Sequence, residues 1–321
     1  MLFRRPCYFD SFNCTADKCT DNCCIGWEIC IDSETAAFYK EVKGDFGKHL
    51  EENISHSDEP SFILKGERCP FLNKNNLCDI ITTLGENALC QICTDHPRWF
   101  EWYGNEKEGG IGLSCEEAAR LILSEEGFAD YFESEVDDYP DEDFDKVGYN
   151  FLLNVRDGVF DILCDDEPSF KEKADAILAL CTEAEARLNE IEKSEFTPFD
   201  FEEELTKAID ILGKTEPIDE KWTSTYEKLK KAKLTLSLAA DEEKYLTRLF
   251  AYFVWRYFLT SVFDYNVTEK IKLALFGVTV IYTLYCMKEE KSEKALIDSA
   301  VLFSKQMEYS SENLELFFSY C

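Results

Sequence analysis

The chain has 321 residues, of which 45% are hydrophobic, and it carries 65 acidic against 34 basic residues for a net charge of −31. The hydrophobic content excludes wholesale disorder, and the length exceeds the roughly 250 residues at which single cores tend to split, so two subdomains are expected. The acidic balance argues against nonspecific binding to nucleic acid, whose phosphates reward lysine and arginine, and it fits either a basic, amine-bearing partner or a solvated surface.

Cysteine is the second departure from ordinary composition: eleven of fifteen fall within the first 115 residues, and Cys14, Cys19, Cys23 and Cys24 open the series as C-x4-C-x3-C-C. The leading MLFRRPCYFDSFNC has a positive start but no apolar core and no small-residue cleavage site, so a reducing, cytoplasmic compartment is expected. There, clustered cysteines bind zinc or an iron–sulfur cluster more often than they form disulfides.

Taken in order, Asp32 or Ser33 is predicted to cap a helix over 35–42 that ends near Gly44. Residues 67–79 read as two short apolar runs joined by an Asn-rich turn, a knuckle that brings Cys69 and Cys78 together. Ser114 and Glu117 form a possible capping box for a helix over 118–123, with Cys115 in its first turn, where backbone N–H groups favour a thiolate. Residues 125–145 hold eleven acids and no base, with Phe128, Tyr131 and Phe132 at helical spacing, and read as a linker or an exposed helix that ends in a loop.

Beyond this stretch, helices are predicted over 149–164, 169–193, 199–212, 218–238, 241–263, 268–287, 292–306 and 312–320. The uncharged run 273–287 falls short of the ~20 residues a membrane span needs, and 249–263 carries Arg256, so both read as core helices with no membrane span. The expected fold is mainly α: a loop-rich, cysteine-dense metal-binding region over 1–123, an acidic linker or exposed segment over 124–148, and an α-helical domain over 149–321.

Within the cysteine constellation, Cys19 and Cys23 are close enough on a turn to reach one metal, with Cys14 arriving from a preceding loop. Adjacent Cys23 and Cys24 tend to point apart. A radical C-x3-C-x2-C pattern is not met, because Gly26 stands where the third cysteine is required. The remaining candidates are Cys69, Cys78, Cys90, Cys93 and Cys115, of which Cys90 and Cys93 have C-x2-C spacing. A zinc ribbon needs two such pairs, whereas irregularly spaced thiols from several loops suit a buried iron–sulfur cluster, with zinc as the alternative. Cys7, Cys30, Cys164, Cys181, Cys286 and Cys321 read as isolated buried or terminal thiols.

The order of these pieces resembles the flagellin lysine-N-methylase family (FliB-type). The likeness runs through Phe12-Asn13-Cys14, Cys19-Thr20-Asp21-Asn22-Cys23-Cys24-Ile25-Gly26-Trp27 and Ile31-Asp32. It continues through Arg68-Cys69-Pro70-Phe71-Leu72, Leu77-Cys78-Asp79-Ile80, Leu84-Gly85-Glu86, Cys93 with His96-Pro97-Arg98, and Ser114-Cys115-Glu116-Glu117-Ala118-Ala119-Arg120. The resemblance implies methyl transfer from S-adenosylmethionine to lysine ε-amines of flagellin by a cytoplasmic enzyme with a cysteine-bound metal centre. It implies Cys14, Cys19, Cys23, Cys24, Cys69, Cys78, Cys93 and Cys115 as ligands, while Cys90 fits its pattern less well; the cluster expected on these thiols is 4Fe-4S.

For the cofactor, Trp27, Trp99, Trp102 and Tyr103 could stack on adenine or face the sulfonium, and Arg98 could pair with a carboxylate. Ordinary core packing accounts for the four aromatics better than cofactor contact does, and a structural salt bridge accounts for Arg98 equally well. No glycine-rich strand-to-helix turn marks a nucleotide site, since Gly109-Gly110-Ile111-Gly112 stands isolated. A protein-lysine methyltransferase is therefore one reading; a noncatalytic zinc- or iron–sulfur-binding module with a protein-docking helical domain is the other.

Overall fold

The structure is a computed structural model and describes residues 1–124, 126–138, 144–232 and 242–319. The chain divides into two compact units that are not consecutive in sequence. One comprises Asn13–Trp99 with Cys115–Glu117, and the other Met1–Phe12, Phe100–Ser114 and Ala118–Cys321.

The first unit is short on regular structure. It contains α1 (Ser33–Glu41), α2 (Gly44–Glu52), α3 (Asp79–Leu84) and α4 (Gln91–Asp95), joined by loops that meet in isolated bridges such as Cys30 with Ser61 and Leu72 with Cys78. Asp32 caps α1 as expected, its Oδ1 accepting from Thr35 N at 2.8 Å, while Oδ2 accepts from Gln91 N at 2.8 Å and so ties the start of α4 to the same residue. The knuckle expected over 67–79 forms: Asn73 N donates to Leu77 O at 2.9 Å and Asp79 N to Phe71 O at 2.7 Å. Phe71 is fully buried at its base, 4.9 Å from the Phe62 ring and 5.2 Å from that of His49.

The second unit pairs a small sheet with helices. Its strands β1 (Leu2–Pro6), β2 (Arg98–Tyr103), β3 (Glu106–Ile111) and β4 (Tyr131–Glu135) lie in the order β2-β3-β1-β4. β1 runs parallel to β3, with Phe3 opposite Lys107, and antiparallel to β4, with Arg4 opposite Glu133. Part of the stretch read as an acidic linker or exposed helix is therefore an edge strand. It is exposed, but Tyr131 packs on Trp255 at 5.7 Å and gives the polar strand an anchor that local composition does not reveal. Residues 125 and 139–143 of that stretch lie outside the described residues.

The helices are α5 (Glu116–Ser124), α6 (Lys146–Cys164), α7 (Phe170–Leu188), α8 (Phe201–Leu212), α9 (Glu220–Leu229), α10 (Glu243–Tyr257), α11 (Val267–Cys286), α12 (Glu293–Met307) and α13 (Ser311–Phe318). Their starts are set by side-chain caps: Asp145 opens α6 three residues before the expected start, and Ser169 with Glu172 forms a full capping box on α7. α7 stops short of the expected 193 because Glu190 enters the left-handed region at φ 53°. The predicted 218–238 helix is seen as α9, and 233–241 lie outside the described residues.

α11 is buried along almost its whole length and packs against α7, α8, α10 and α12, which explains why its sequence is apolar all round. Among the described residues no helix is long and apolar enough to cross a membrane. Sheet and helices are joined by a buried ion pair: both Arg156 terminal nitrogens donate to the Glu108 carboxylate at 2.7 Å, and the guanidinium lies 4.4 Å from the Trp255 ring centroid.

Candidate metal centre

The core of the first unit is built partly from sulfur. Cys69 and Cys90 are buried within it beside Ile29, Ile31, Leu50 and Phe71, and Cys24, Cys78 and Cys93 pack against them. The local folds that deliver these thiols are separate. Cys24 sits on the loop joined to the knuckle by the Cys69 N to Cys24 O bond of 2.9 Å, Cys69 and Cys78 flank the knuckle, and Cys90 and Cys93 bracket the first turn of α4.

Their electrostatics show mutual proximity. The Cys24 thiol is pushed up first by its hydrogen bond with Cys23, then by burial and by Cys69 and Cys78. Cys93 is pushed up by its hydrogen bond with Cys90, by burial, and by Cys24 and Cys69. Burial raises Cys69 to about 11, with Cys78 and Cys90 adding to the rise, and burial likewise raises Cys78. Cys90 alone moves down, because Cys93 donates to it. Nearby Tyr39, whose hydroxyl donates to Ala88 O at 2.7 Å, is raised by burial and by Cys90, Cys93 and Cys78.

Cys90 is thus a member of this set although the family resemblance left it out; its C-x2-C spacing with Cys93 was the signal that pointed to it. Cys14 is exposed and accepts from Ala16 N at 3.4 Å. Cys19 is half-buried, with its sulfur 3.7 Å from Glu116 Oε2, and burial raises it. Glu116 also accepts from Thr20 N and Oγ1 at 2.8 and 2.9 Å, which fastens the Cys19 loop to the residue after Cys115. No composition or spacing argument had marked Glu116.

Among the described residues, no group of three or more His, Cys, Asp or Glu side chains is arranged to hold a single metal ion. The donor chemistry alone suits an iron–sulfur cluster, since Cys24, Cys69, Cys78, Cys90 and Cys93 are soft sulfur ligands in apolar surroundings. Burial disfavours the bare thiolates, so positive metal charge is what would stabilise them there.

The other singled-out residues have local roles. The Trp27 indole donates to Cys23 O, and its ring lies 5.8 Å from that of His96. Arg98 and Trp99 begin β2 after the cis His96–Pro97 bond, with Arg98 half-buried and Trp99 buried. Trp102 donates to Asp138 at 3.1 Å, and Tyr103 is buried in the other unit, stacked 5.1 Å from Tyr149. Gly109 is a packing glycine rather than a phosphate loop: a Cβ there would lie 2.9 Å from both Phe3 and Phe100.

Among known proteins, the chain is similar to a flagellar biosynthesis protein and to lysine-N-methylases. It is 31% identical over 128 residues to the flagellar biosynthetic protein FliU of Salmonella muenchen, a match that covers 37% of this chain and 76% of FliU. The same identity and length relate it to the lysine-N-methylases of Salmonella typhimurium and Salmonella choleraesuis, of which only 32% is covered. The chain belongs to the FliB-type lysine-N-methylase family. It matches about a third of the length of the two lysine-N-methylases. No family model matches it, and no solved structure matches it significantly.

Proposed function

We propose that the protein is a lysine N-methyltransferase that moves the methyl group of S-adenosylmethionine to ε-amines of flagellin, in the cytoplasm, with an iron–sulfur centre held by its thiols. The observation that carries this reading is the similarity to lysine-N-methylases, together with the convergence of Cys24, Cys69, Cys78, Cys90 and Cys93 on one buried cluster. The ligands of one four-iron cluster come from among those five, one thiol to each iron. Cys14, Cys19, Cys23 and Cys115 complete the wider set the family pattern suggests.

A lysine amine has a pKa of about 10.4, so attack on the sulfonium methyl needs the proton removed and the amine desolvated and aligned. The nitrogen lone pair forms the new C–N bond, the S–CH3 electron pair stays on sulfur, and the amine proton leaves to solvent or a base. The acidic surface draws the lysine in but favours its charged form, so attraction and activation belong to different places. When bound, a cluster would supply an iron site able to bind a ligand or exchange an electron. The chain's own part there is to hold the thiols in a dry, apolar surround. Trp27, Arg98 and Trp99 are the proposed cofactor contacts.

Two measurements test this reading. Protein purified anaerobically should be brown, with iron and acid-labile sulfide in comparable amounts, whereas colourless protein carrying zinc alone would overturn the cluster. Incubated with methyl-labelled S-adenosylmethionine and flagellin, the metal-replete protein should label lysines. Failure to label, with no detectable S-adenosylmethionine binding, would leave the noncatalytic metal-binding module as the better account.

A further inference from the structure

The helical unit contains a cavity of about 460 Å³ between α7, α8, α11 and α13, bordered by residues 194–200. Its floor is apolar, with Leu178, Phe199, Ile211, Leu275 and Phe317 all buried. The walls are pinned: Phe199 N donates to Asp175 Oδ1 at 2.6 Å, Lys171 donates to Phe199 O, and Thr268 donates through both N and Oγ1 to Glu185 Oε2 at 2.7 Å. Binding here needs little ordering of the protein.

The polar lining is unbalanced. Glu195, Asp200, Glu203, Glu204 and Asp210 line it against two lysines, Lys207 and Lys272. Asp200 is committed to capping α8, through Glu202 N and Glu203 N, and Asp210 accepts from Lys214 at 2.6 Å. Glu204 differs from both. It is half-buried, burial raises its carboxyl against the pull of Lys207 and Lys272, and its carboxylate has no hydrogen bond or ion pair among the described residues. Lys207 and Lys272 offset only part of the cost of withdrawing this carboxylate from water, and a cation in direct contact with it is what would offset the rest. The apolar floor adds a second requirement, because it rewards methylene groups.

We propose that this cavity binds a primary alkyl-ammonium group, with the ammonium at Glu204 and the methylenes against Ile211, Leu275 and Phe317. The ligand is either a lysine side chain of another protein or a free diamine; both present the same chemistry. The inference goes beyond methyl transfer and is read by binding alone.

The test is calorimetric titration of the full chain with Nα-acetyl-lysine methylamide, with pentane-1,5-diamine, and with the uncharged Nα-acetyl-norleucine methylamide. At least one amine should bind, and the norleucine compound should not. Tighter binding of the lysine compound identifies a protein source, and tighter binding of the diamine a free one. Glu204→Gln should weaken binding by tenfold or more while leaving the melting temperature close to that of the parent, since no internal bond is lost. Lys207→Met should tighten it. The proposal is overturned if neither amine binds, if Glu204→Gln binds like the parent, or if the norleucine compound binds equally well. Flagellin labelling, measured in parallel, reports on methyl transfer separately.

Discussion

Asp32 shows how much one side chain can organise in a unit with little regular structure. Its two oxygens cap α1 and hold Gln91 at the start of α4, the turn that carries Cys90 and Cys93. Although burial works the other way, the Gln91 and Thr35 amides hold its carboxyl below the ordinary value. A depressed carboxyl pKa contributes stability that is present above the unfolded value of about 3.9 and lost as pH falls through the folded value. Asp32→Ala should therefore cost about 1–2 kcal/mol in chemical denaturation at neutral pH, with the difference from the parent shrinking in strong acid. A constant difference across that range would mean that the carboxylate charge plays no part.

The thiols can be sorted at the same scale. Cys69 is buried in the sulfur-lined core, whereas Cys30 is exposed and pairs through its backbone with Ser61. Cys69→Ser should lower iron and sulfide content by more than half, and Cys30→Ser should leave both unchanged, as measured by metal analysis. Equal losses in the two variants would remove the distinction. The sequence made the cysteine density and most of this set legible, because soft ligands leave a compositional mark. It did not rank Cys90, whose inclusion depends on α4 turning it into the same core as Cys69.

Among the elements, helices were readable and strands were not. α6 to α13 follow from apolar periodicity and side-chain caps, both of which are local signals. The sheet depends on pairings between distant residues: β1 lies between β3 and β4, more than a hundred residues onward. The two aromatics of β4, Tyr131 and Phe132, fall at helical spacing from Phe128 just before it, so the local period misleads. The contact of α10 with α11 offers a stringent test. Gly277 lies against Phe253 so closely that an added Cβ would be 2.3 Å from the ring. Gly277→Ala should destabilise by about 1–3 kcal/mol despite the better helix propensity of alanine, as read from the thermal or denaturant midpoint. A stabilised variant would show that α10 can retreat without penalty.

For the whole molecule, the dominant property is a net charge of −31. A field of that sign accelerates encounter with lysine-bearing partners and is screened over about 10 Å at 0.1 M salt. If flagellin is the substrate, its KM should rise several-fold between about 0.05 and 0.3 M sodium chloride, with kcat changing far less. A salt-independent KM would place recognition in apolar contacts instead.

The order of the strands has a modular consequence. The cysteine-bearing stretch Asn13–Trp99 leaves the sheet after β1 and returns to it in β2, and the Phe9 and Phe100 rings at the two crossings are 6.3 Å apart. In chain topology it is an insertion whose ends nearly meet, the arrangement under which a domain can be removed or transplanted without cutting its host. A chain with 13–97 replaced by a short glycine–serine linker, so that β2 stays whole, should keep its helical circular dichroism and a cooperative melt. Loss of both would show that sheet and helices need the insert in order to fold.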